Sequence, residues 1–298
     1  MRQAVIDLGT NTFHLLIADV SEDGRLTEVY RERLFVKLAE EGIATIGAAP
    51  FDRGIAALIR YRKQLNIYDV EDLTAIGTAA LRTASNGPEF VATALREAKI
   101  PIQLISGDEE ASLITAGVLR AITAPEDNIL IMDIGGGSTE YIIAGEAGVH
   151  WRQSFPIGVS VLFNEFHHSD PITAAETQEL EEHLREQLKP LATALASHPA
   201  YHLVGAAGTF DVLADTLRDH NAPVHPTSHR LNLSGFPNLH QTITSATLAE
   251  RIALPGVPKE RADMIVVAMI LLRFTFQLAE ITRVTVSDYA MKEGVLVQ

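Results

Sequence analysis

The chain has 298 residues, more than one hydrophobic core usually serves, so its length favours two domains of about 150 residues each. Apolar residues make up 47% and charged residues 21%, which excludes a disordered chain, and the longest apolar run, residues 264–272, is too short for a membrane span of roughly 20 residues. There is no cysteine and the net charge is −14, so the composition excludes thiol chemistry and disfavours nucleic-acid binding.

The N-terminal residues and the absence of cysteine bear on the cellular location of the protein. Residues 1–4 run directly into a strand pattern and lack the apolar segment of a signal peptide. The absence of cysteine fits a reducing compartment. We therefore expect a cytoplasmic protein that has no membrane partner and no nucleic-acid partner.

Hydrophobic periodicity predicts strands that alternate with helices along the whole chain. In the first part we predict strands over 4–6, 13–20, 25–36, 72–78 and 101–105, and helices over 51–65, from 86 and over 109–121. In the second part we predict strands over 129–132, 141–144, 149–155, 201–204 and 283–286, with helices over 159–167, 173–197, 244–252, 258–279 and at the C-terminus. Residues 220–240 are rich in His, Pro, Asn and Ser and predict a long loop. This alternation indicates an α/β protein.

A polar, turn-rich segment at residues 125–128 marks the predicted domain boundary. It divides the chain into domains over 1–124 and 125–298. Each domain opens on the same pattern, because residues 6–12 (Ile-Asp-Leu-Gly-Thr-Asn-Thr) match residues 132–138 (Met-Asp-Ile-Gly-Gly-Gly-Ser) at an offset of 126. The repeat predicts two duplicated domains that face each other across a cleft.

These repeated turns are candidate phosphate-binding sites. A glycine-rich turn between two strands exposes backbone N–H groups and lets an anion approach them closely. The candidate phosphate-binding residues are Gly9, Thr10, Asn11 and Thr12 in the first turn and Gly135, Gly136, Gly137 and Ser138 in the second. A third loop adds Gly208 and Thr209, which lie between a predicted strand and a helix.

Carboxylates beside these turns are candidate metal ligands. Asp7 and Asp133 end the strands that precede the two turns, and Glu140 follows the second turn. Carboxylate oxygens at such positions bind Mg²⁺ directly or through water. The sequence therefore predicts a divalent-cation site formed by Asp7, Asp133 and Glu140.

Six motifs span nearly the whole chain, at residues 7–14, 77–86, 105–111, 133–140, 205–209 and 287–296. Together they resemble the exopolyphosphatase and guanosine pentaphosphate phosphohydrolase (Ppx/GppA) family, of which the chain looks like a short two-domain member. The resemblance implies two actin-like, ribonuclease H-like domains flanking a cleft. It also implies that Glu110 is the catalytic base that activates water, that Arg82 contacts phosphate, and that the protein is a homodimer.

The activity implied by the resemblance is Mg²⁺-dependent release of orthophosphate from the end of inorganic polyphosphate, conversion of pppGpp to ppGpp, or both. Mn²⁺ and K⁺ are further candidate ions. Two alternatives remain open. One is an ATP-dependent small-molecule kinase of the same superfamily, but such kinases usually need insertions that bind the acceptor, and this chain has little room for them. The other is a non-catalytic regulator that binds polyphosphate or the alarmone pppGpp. The presence of Glu110, Asp133 and Glu140 argues against this second alternative.

Overall fold

The computed structural model describes residues 1–22 and 25–297, which form two mixed β-sheets covered by helices. The last residue of the second predicted domain, 298, lies outside the described residues. The strands of the first sheet are β1 (Arg2–Leu8), β2 (Thr12–Val20), β3 (Leu26–Phe35), β4 (Asp72–Gly77) and β5 (Ile102–Leu104). The strands of the second are β6 (Ile129–Ile134), β7 (Thr139–Gly145), β8 (Gly148–Phe155), β9 (His202–Ala206), β10 (Ser228–Arg230) and β11 (Arg283–Ser287).

Twelve α-helices cover these sheets in the part of the chain described. The helices that precede β6 in the chain are α1 (Ala48–Ile67), α2 (Ala79–Thr83), α3 (Gly87–Thr93) and α4 (Gly107–Ala121). The helices that follow β8 are α5 (Val159–Phe166), α6 (Ala174–Gln187), α7 (Lys189–Ser197), α8 (Gly208–Leu217), α9 (Phe236–Ser245), α10 (Leu248–Ala253), α11 (Ile265–Leu278) and α12 (Met291–Leu296). No helix in residues 1–22 and 25–297 is both long enough and apolar enough to cross a bilayer.

The two sheets repeat one topology, as the sequence repeat predicts. The first sheet has the strand order β3-β2-β1-β4-β5, and the second has β8-β7-β6-β9-β11 with β10 added at its edge. In each, the first three strands of the order are antiparallel and the crossover strands are parallel. The prediction of an α/β fold with two duplicated domains is therefore confirmed.

Helices α4 and α12 join the two sheets. The apolar side chains of α4, among them Ile114 and Val118, pack against Ile131 and its neighbours in the second sheet. Leu296 of α12 instead packs against Val5 in the first sheet. Helix α4 lies before residue 125 in the chain but packs against the sheet that follows it. The hydrophobic cores therefore do not divide at residues 124 and 125, and that domain boundary stays a prediction.

The α4–α12 crossing brings two backbones into direct contact. A Cβ atom added at Gly117 of α4 would overlap the carbonyl oxygen of Ala290, and one at Gly294 of α12 would overlap the carbonyl oxygen of Leu113. Only glycine permits this approach, because any larger residue places a carbon where the neighbouring backbone lies.

Four predicted elements differ from the structure. The helix predicted over 244–252 is interrupted, because α9 ends at Ser245 and α10 begins at Leu248. The helix predicted over 173–197 is two helices, α6 and α7, because the ring of Pro190 clashes with the preceding helical turn and its nitrogen carries no hydrogen. The loop predicted over 220–240 contains β10 and the start of α9, where Pro237 lies in the first turn, a position that proline tolerates. The helix predicted from 258 begins at Ile265, after a separate 3₁₀ turn over Lys259–Arg261.

The contact at Gly117 makes a testable prediction. Gly117→Ala should lower the free energy of unfolding by about 1–3 kcal/mol, because the steric clash outweighs a helix-propensity gain of about 1 kcal/mol. Chemical denaturation of the variant measures this difference. The neighbouring substitution Ala116→Gly should lose only about 1 kcal/mol, which is its loss of helix propensity. A stabilised Gly117→Ala protein would contradict the close approach of α4 and α12.

Candidate active site

The two repeated turns close with the same hydrogen bond. The Gly9 N–H donates to the Thr12 carbonyl at 3.1 Å, and the Gly135 N–H donates to the Ser138 carbonyl at 3.0 Å. The strand registers agree too, since Asp7 lies opposite His14 and Asp133 lies opposite Glu140. The offset of 126 in the sequence is therefore a structural repeat, in which His14 occupies the place of Glu140.

The two turns meet across the cleft. A Cβ atom at Gly136 would lie 2.9 Å from the side chains of Thr10 and Asn11, and one at Gly137 would lie 2.7 Å from Thr10 Oγ1. Helix α5 holds the second turn from behind, because the N–H groups of Val159 and Ser160 donate to the carbonyls of Gly135 and Gly136 at 2.9 and 2.8 Å. The glycines are thus required for the contact between the two halves.

The second turn has the donors that an anion needs. In the part of the chain that the structure describes, the backbone N–H groups of Gly136, Gly137 and Ser138 donate to no acceptor. Unpaired N–H groups in a tight turn form a concave, electropositive site that suits a phosphate group. This geometry fits the predicted phosphate-binding role of the turn.

A cavity of about 560 Å³ lies between the two halves of the molecule. Every predicted site residue except Arg82 lines it, namely Asp7, Gly9, Thr10, Asn11, Thr12, Glu110, Asp133, Gly135, Gly136, Gly137, Ser138, Glu140, Gly208 and Thr209. Gly208 also makes room for Arg261, since a Cβ at Gly208 would overlap its guanidinium group. Residues far apart in the chain therefore converge on a single cleft.

Glu109 and Glu110 begin the same helix but face different surroundings. Glu109 caps α4, because its Oε2 accepts hydrogen bonds from the Ser106 N–H and hydroxyl at 2.8 Å while its own N–H donates to Ser106 Oγ at 3.2 Å. Successive helical residues point about 100° apart. Glu110 accordingly points into the cleft, where it is 8% exposed.

One buried oxygen of Glu110 accepts no hydrogen bond. Among the described residues, Oε2 of Glu110 has no hydrogen-bond partner, although it forms an ion pair with Arg82 at 3.5 Å. Arg82 itself donates to the Ile105 carbonyl at 2.6 Å, at the edge of the cavity rather than in its lining. A buried carboxylate oxygen that accepts no hydrogen bond is unfavourable unless a further donor, such as water, occupies the site.

Four carboxylates line this cleft, of which Glu110, Asp133 and Glu140 are buried and Asp7 is half-buried, and loss of contact with water raises the pKa of each. Burial raises the pKa of Asp7 to about 6, and it raises the pKa of Asp133 well above its usual value, with Glu140 as the next cause. Burial also raises the pKa of Glu110 well above its usual value, helped by Glu140 and opposed by Arg82. The pKa of Glu140 is raised less, because the hydroxyls of Ser138 and Ser154 donate to its carboxylate.

The donor set fits a hard divalent cation. Within residues 1–22 and 25–297, no three His, Asp or Glu side chains come close enough together to form a complete protein cage for a metal. Mg²⁺ does not need one, since it commonly binds one or two carboxylates and completes its octahedron with water and phosphate oxygens. The predicted site formed by Asp7, Asp133 and Glu140 together is therefore not supported, but one or two of these carboxylates beside the phosphate cradle match the requirement of Mg²⁺.

Ion pairs across the cleft were not predictable from the sequence. Arg31 pairs with Glu293 at 3.0 Å, Arg33 pairs with Asp211 at 3.3 Å, and Lys37 pairs with Asp263 at 2.6 Å. Arg31 and Arg33 are two residues apart on β3, so strand alternation does place them on one face. Their acidic partners lie more than 170 residues away, and only the fold reveals them.

The raised pKa of Asp7 makes a pH-dependent prediction for the metal-free protein. The folded protein keeps a proton on Asp7 up to a pH of about 6, whereas the unfolded chain releases it near 3.8, so the free energy of unfolding falls as the pH rises between these values. Asp7→Asn should therefore stabilise the protein by about 2 kcal/mol at pH 8 and by less at pH 5. Thermal unfolding in EDTA at both values measures this.

The control for this prediction is Asp52→Asn, which removes an exposed carboxylate from α1. Its effect on unfolding should be small and the same at pH 5 and pH 8. An Asp7→Asn protein that is no more stable than the wild type at pH 8 would contradict the burial of a charged Asp7.

Comparison with known proteins agrees with this geometry. A model of the Ppx/GppA phosphatase family matches residues 16–298. A curated relative, a putative exopolyphosphatase of Haemophilus influenzae, is 29% identical over 299 residues, covering 98% of this chain and 90% of its own.

Solved structures are similar over the whole chain. The crystal structure of an exopolyphosphatase from Cytophaga hutchinsonii is 36% identical, with a TM-score of 0.93 and coverage of 99% of this chain and 96% of its own. The Ppx/GppA family member of Aquifex aeolicus is 28% identical, with a TM-score of 0.80 and coverage of 100% and 96%. The expectations of an actin-like two-domain fold and of a phosphoanhydride hydrolase are thereby confirmed, and the chain belongs to the Ppx/GppA phosphatase family.

Proposed function

We propose that the protein is a Mg²⁺-dependent hydrolase that releases terminal orthophosphate from inorganic polyphosphate, converts pppGpp to ppGpp, or does both. The observation that carries this proposal is the buried carboxylate oxygen of Glu110 that accepts no hydrogen bond from the described residues and lies 3.5 Å from Arg82, in the cleft that holds the glycine turns. The names of the relatives from Haemophilus influenzae and Cytophaga hutchinsonii support polyphosphate as a substrate.

The residues of the cleft supply the parts of a hydrolytic site. Glu110 accepts a proton from a water molecule, and its raised pKa makes it a stronger base than an exposed carboxylate. The N–H groups of Gly136, Gly137 and Ser138 hold the phosphoryl oxygens. Arg82 lies 3.5 Å from Glu110, where it orients the carboxylate and approaches a bound phosphate.

One or two of the carboxylates Asp7, Asp133 and Glu140 would hold Mg²⁺ beside the glycine turns. The ion supplies positive charge that offsets the negative charge of the phosphoryl oxygens. Mn²⁺ takes the same oxygen ligands, and K⁺ is a further candidate at the phosphate chain. The homodimer and the cytoplasmic location remain predictions from the sequence.

The decisive experiment is a phosphate-release assay with and without Mg²⁺ on short polyphosphate, long polyphosphate, pppGpp, ATP and ADP. Release of orthophosphate from polyphosphate or pppGpp with water as the only acceptor is the expected result. Transfer from ATP to a small acceptor would indicate a kinase instead. Tight binding of the alarmone or polyphosphate without turnover would indicate a regulator.

The role of Glu110 is tested by an isosteric pair of variants. Glu110→Gln should keep the fold and lower turnover by about 100-fold or more, as loss of a general base typically does. Glu109→Gln is the matched control, because its side chain caps α4 and faces solvent, and it should keep turnover within a few-fold. Turnover that survives in Glu110→Gln but is lost in Glu109→Gln would assign the base to the other residue.

The metal site is tested by the Mg²⁺ concentration that gives half-maximal activity. Asp133→Asn and Glu140→Gln should each raise this concentration by about tenfold or more, since each removes a charged oxygen ligand and the partners of a metal site typically change affinity by such factors. Asp108→Asn, which removes an exposed carboxylate from the first turn of α4, is the control and should leave the value unchanged. Unchanged Mg²⁺ dependence in both test variants would remove Asp133 and Glu140 from the site.

A further inference from the structure

Asp288 is a carboxylate of the cleft that the reaction described above does not use. It directly follows β11 and lines the cavity, and its side chain is 41% exposed. One of its oxygens, Oδ1, lies 3.0 Å from Nε2 of His229. In the described part of the chain the other oxygen, Oδ2, accepts no hydrogen bond. Asp288 therefore has one oxygen held by the protein and one oxygen available to a ligand.

His229 and Arg218 hold the Asp288 side chain in place. Nη2 of Arg218 lies 2.6 Å from Nδ1 of His229, and Nδ1 is the acceptor because a guanidinium group only donates hydrogen bonds. When the His229 ring is neutral, its single proton is therefore on Nε2, the nitrogen beside Asp288. The backbone of Asp288 is held as well, since its N–H donates to the Thr227 carbonyl at 3.0 Å.

The strand register places Asp288 beside the loop that contains Gly208 and Thr209. Strands β9 and β11 are parallel neighbours, so their carboxyl ends lie at the same edge of the sheet. Gly205 near the end of β9 is opposite Val286 near the end of β11. The glycine loop that follows β9 and the carboxylate that follows β11 are therefore adjacent.

This combination of a glycine loop and an acid suits the sugar of a nucleotide. In α/β sheets that bind dinucleotides, a glycine loop after one strand binds the phosphate groups, and an acid further along the chain accepts a hydrogen bond from a ribose hydroxyl. The charge of Asp288 favours a hydroxyl over a phosphate group at this point, because a carboxylate accepts from a hydroxyl and repels a phosphate oxygen.

The width of the sheet fits the length of a triphosphate group. Asp133 on β6 is opposite Ala206 on β9, and β11 is the next strand beyond β9. Neighbouring strands are about 4.8 Å apart, so the ends of β6 and β11 are separated by about 10 Å. A nucleotide whose last phosphate lies at the glycine turn after Asp133 extends past the β9 loop and brings its ribose to Asp288.

We propose that Asp288 is a specificity-determining residue that accepts a hydrogen bond from the ribose 2′-hydroxyl of a nucleoside polyphosphate, and that His229 and Arg218 position it. The inference rests on the proposed conversion of pppGpp to ppGpp. In pppGpp the 2′-hydroxyl is the only free ribose hydroxyl, because the 3′ and 5′ oxygens carry phosphate groups. Asp288 thus favours the alarmone over a phosphate chain that has no ribose.

The first test compares the binding of GTP and 2′-deoxyGTP by calorimetry with Mg²⁺, in Glu110→Gln protein so that turnover does not interfere. GTP should bind about tenfold more tightly or better, as expected for one hydrogen bond to a charged group. Adding Asp288→Ala should bring the two affinities to within about twofold. Because both nucleotides are measured on the same protein, partial unfolding of a variant does not change their ratio. Equal affinities with Asp288 present would overturn the proposal.

The matched control for this substitution is Asp215→Ala, which removes an exposed carboxylate of α8 that does not line the cavity. It should keep the difference between GTP and 2′-deoxyGTP. Loss of the difference in Asp215→Ala as well as in Asp288→Ala would overturn the assignment to Asp288, since any nearby negative charge would then have the same effect.

The second test concerns the positioning of Asp288. His229→Phe keeps a planar ring but removes the N–H beside Asp288, so the preference for GTP over 2′-deoxyGTP should fall by about threefold or more. His229→Gln, whose amide also donates, should keep more of the preference than His229→Phe. A purely structural role for His229 would weaken both nucleotides equally, and an unchanged preference in His229→Phe would overturn the positioning role.

Binding of long polyphosphate gives a readout of opposite sign. Asp288→Ala in the Glu110→Gln protein should bind long polyphosphate more tightly, because a negative charge is removed from its path. Weaker binding would indicate that Asp288 holds a cation for the phosphate chain and would overturn the proposal. Failure of the wild type to release phosphate from any substrate would contradict the hydrolase function, whereas the ratio of the two nucleotide affinities, which needs no turnover, would still decide the contact with ribose.

Discussion

The close contact between Gly117 and Gly294 is the constraint on which the site depends. Helix α4 is packed on the second sheet and α12 on the first, and the two helices touch backbone to backbone. Glu110 lies two turns before Gly117, and Lys292 lies two residues before Gly294. The crossing therefore sets the distance between the two halves and, through it, the positions of Glu110 and Lys292 in the cleft.

Electrostatics makes this cleft suited to a cation. Glu110, Asp133 and Glu140 are buried and Asp7 is half-buried, and burial raises the pKa of all four carboxyl groups. Lys292 lines the same cleft and forms an ion pair with Glu293 at 3.7 Å. In the proposed function a divalent ion beside the carboxylates would offset their negative charge.

The duplication also shows how a symmetric fold supports an asymmetric reaction. Both turns close with the same hydrogen bond and both follow an aspartate, yet Glu140 in the second half corresponds to His14 in the first. Burial lowers the pKa of His14 well below its usual value, so this position contributes a neutral ring rather than a fourth ligand-like carboxylate on that side. Negative charge is therefore concentrated toward the second half and Glu110.

The α/β class, the repeat at an offset of 126, and the glycine turns with Asp7, Asp133 and Glu140 could be predicted from the sequence, because they depend on local periodicity and turn chemistry. The choice of Glu110 rather than Glu109 as the catalytic base came only from the family resemblance. Three features are visible only in the tertiary structure. They are the ion pairs of Arg31, Arg33 and Lys37 with distant acids, the packing of α4 on the second sheet and of α12 on the first, and the burial of Lys292. Contacts between residues more than 170 positions apart leave no local pattern, since they arise only when the two halves close on each other.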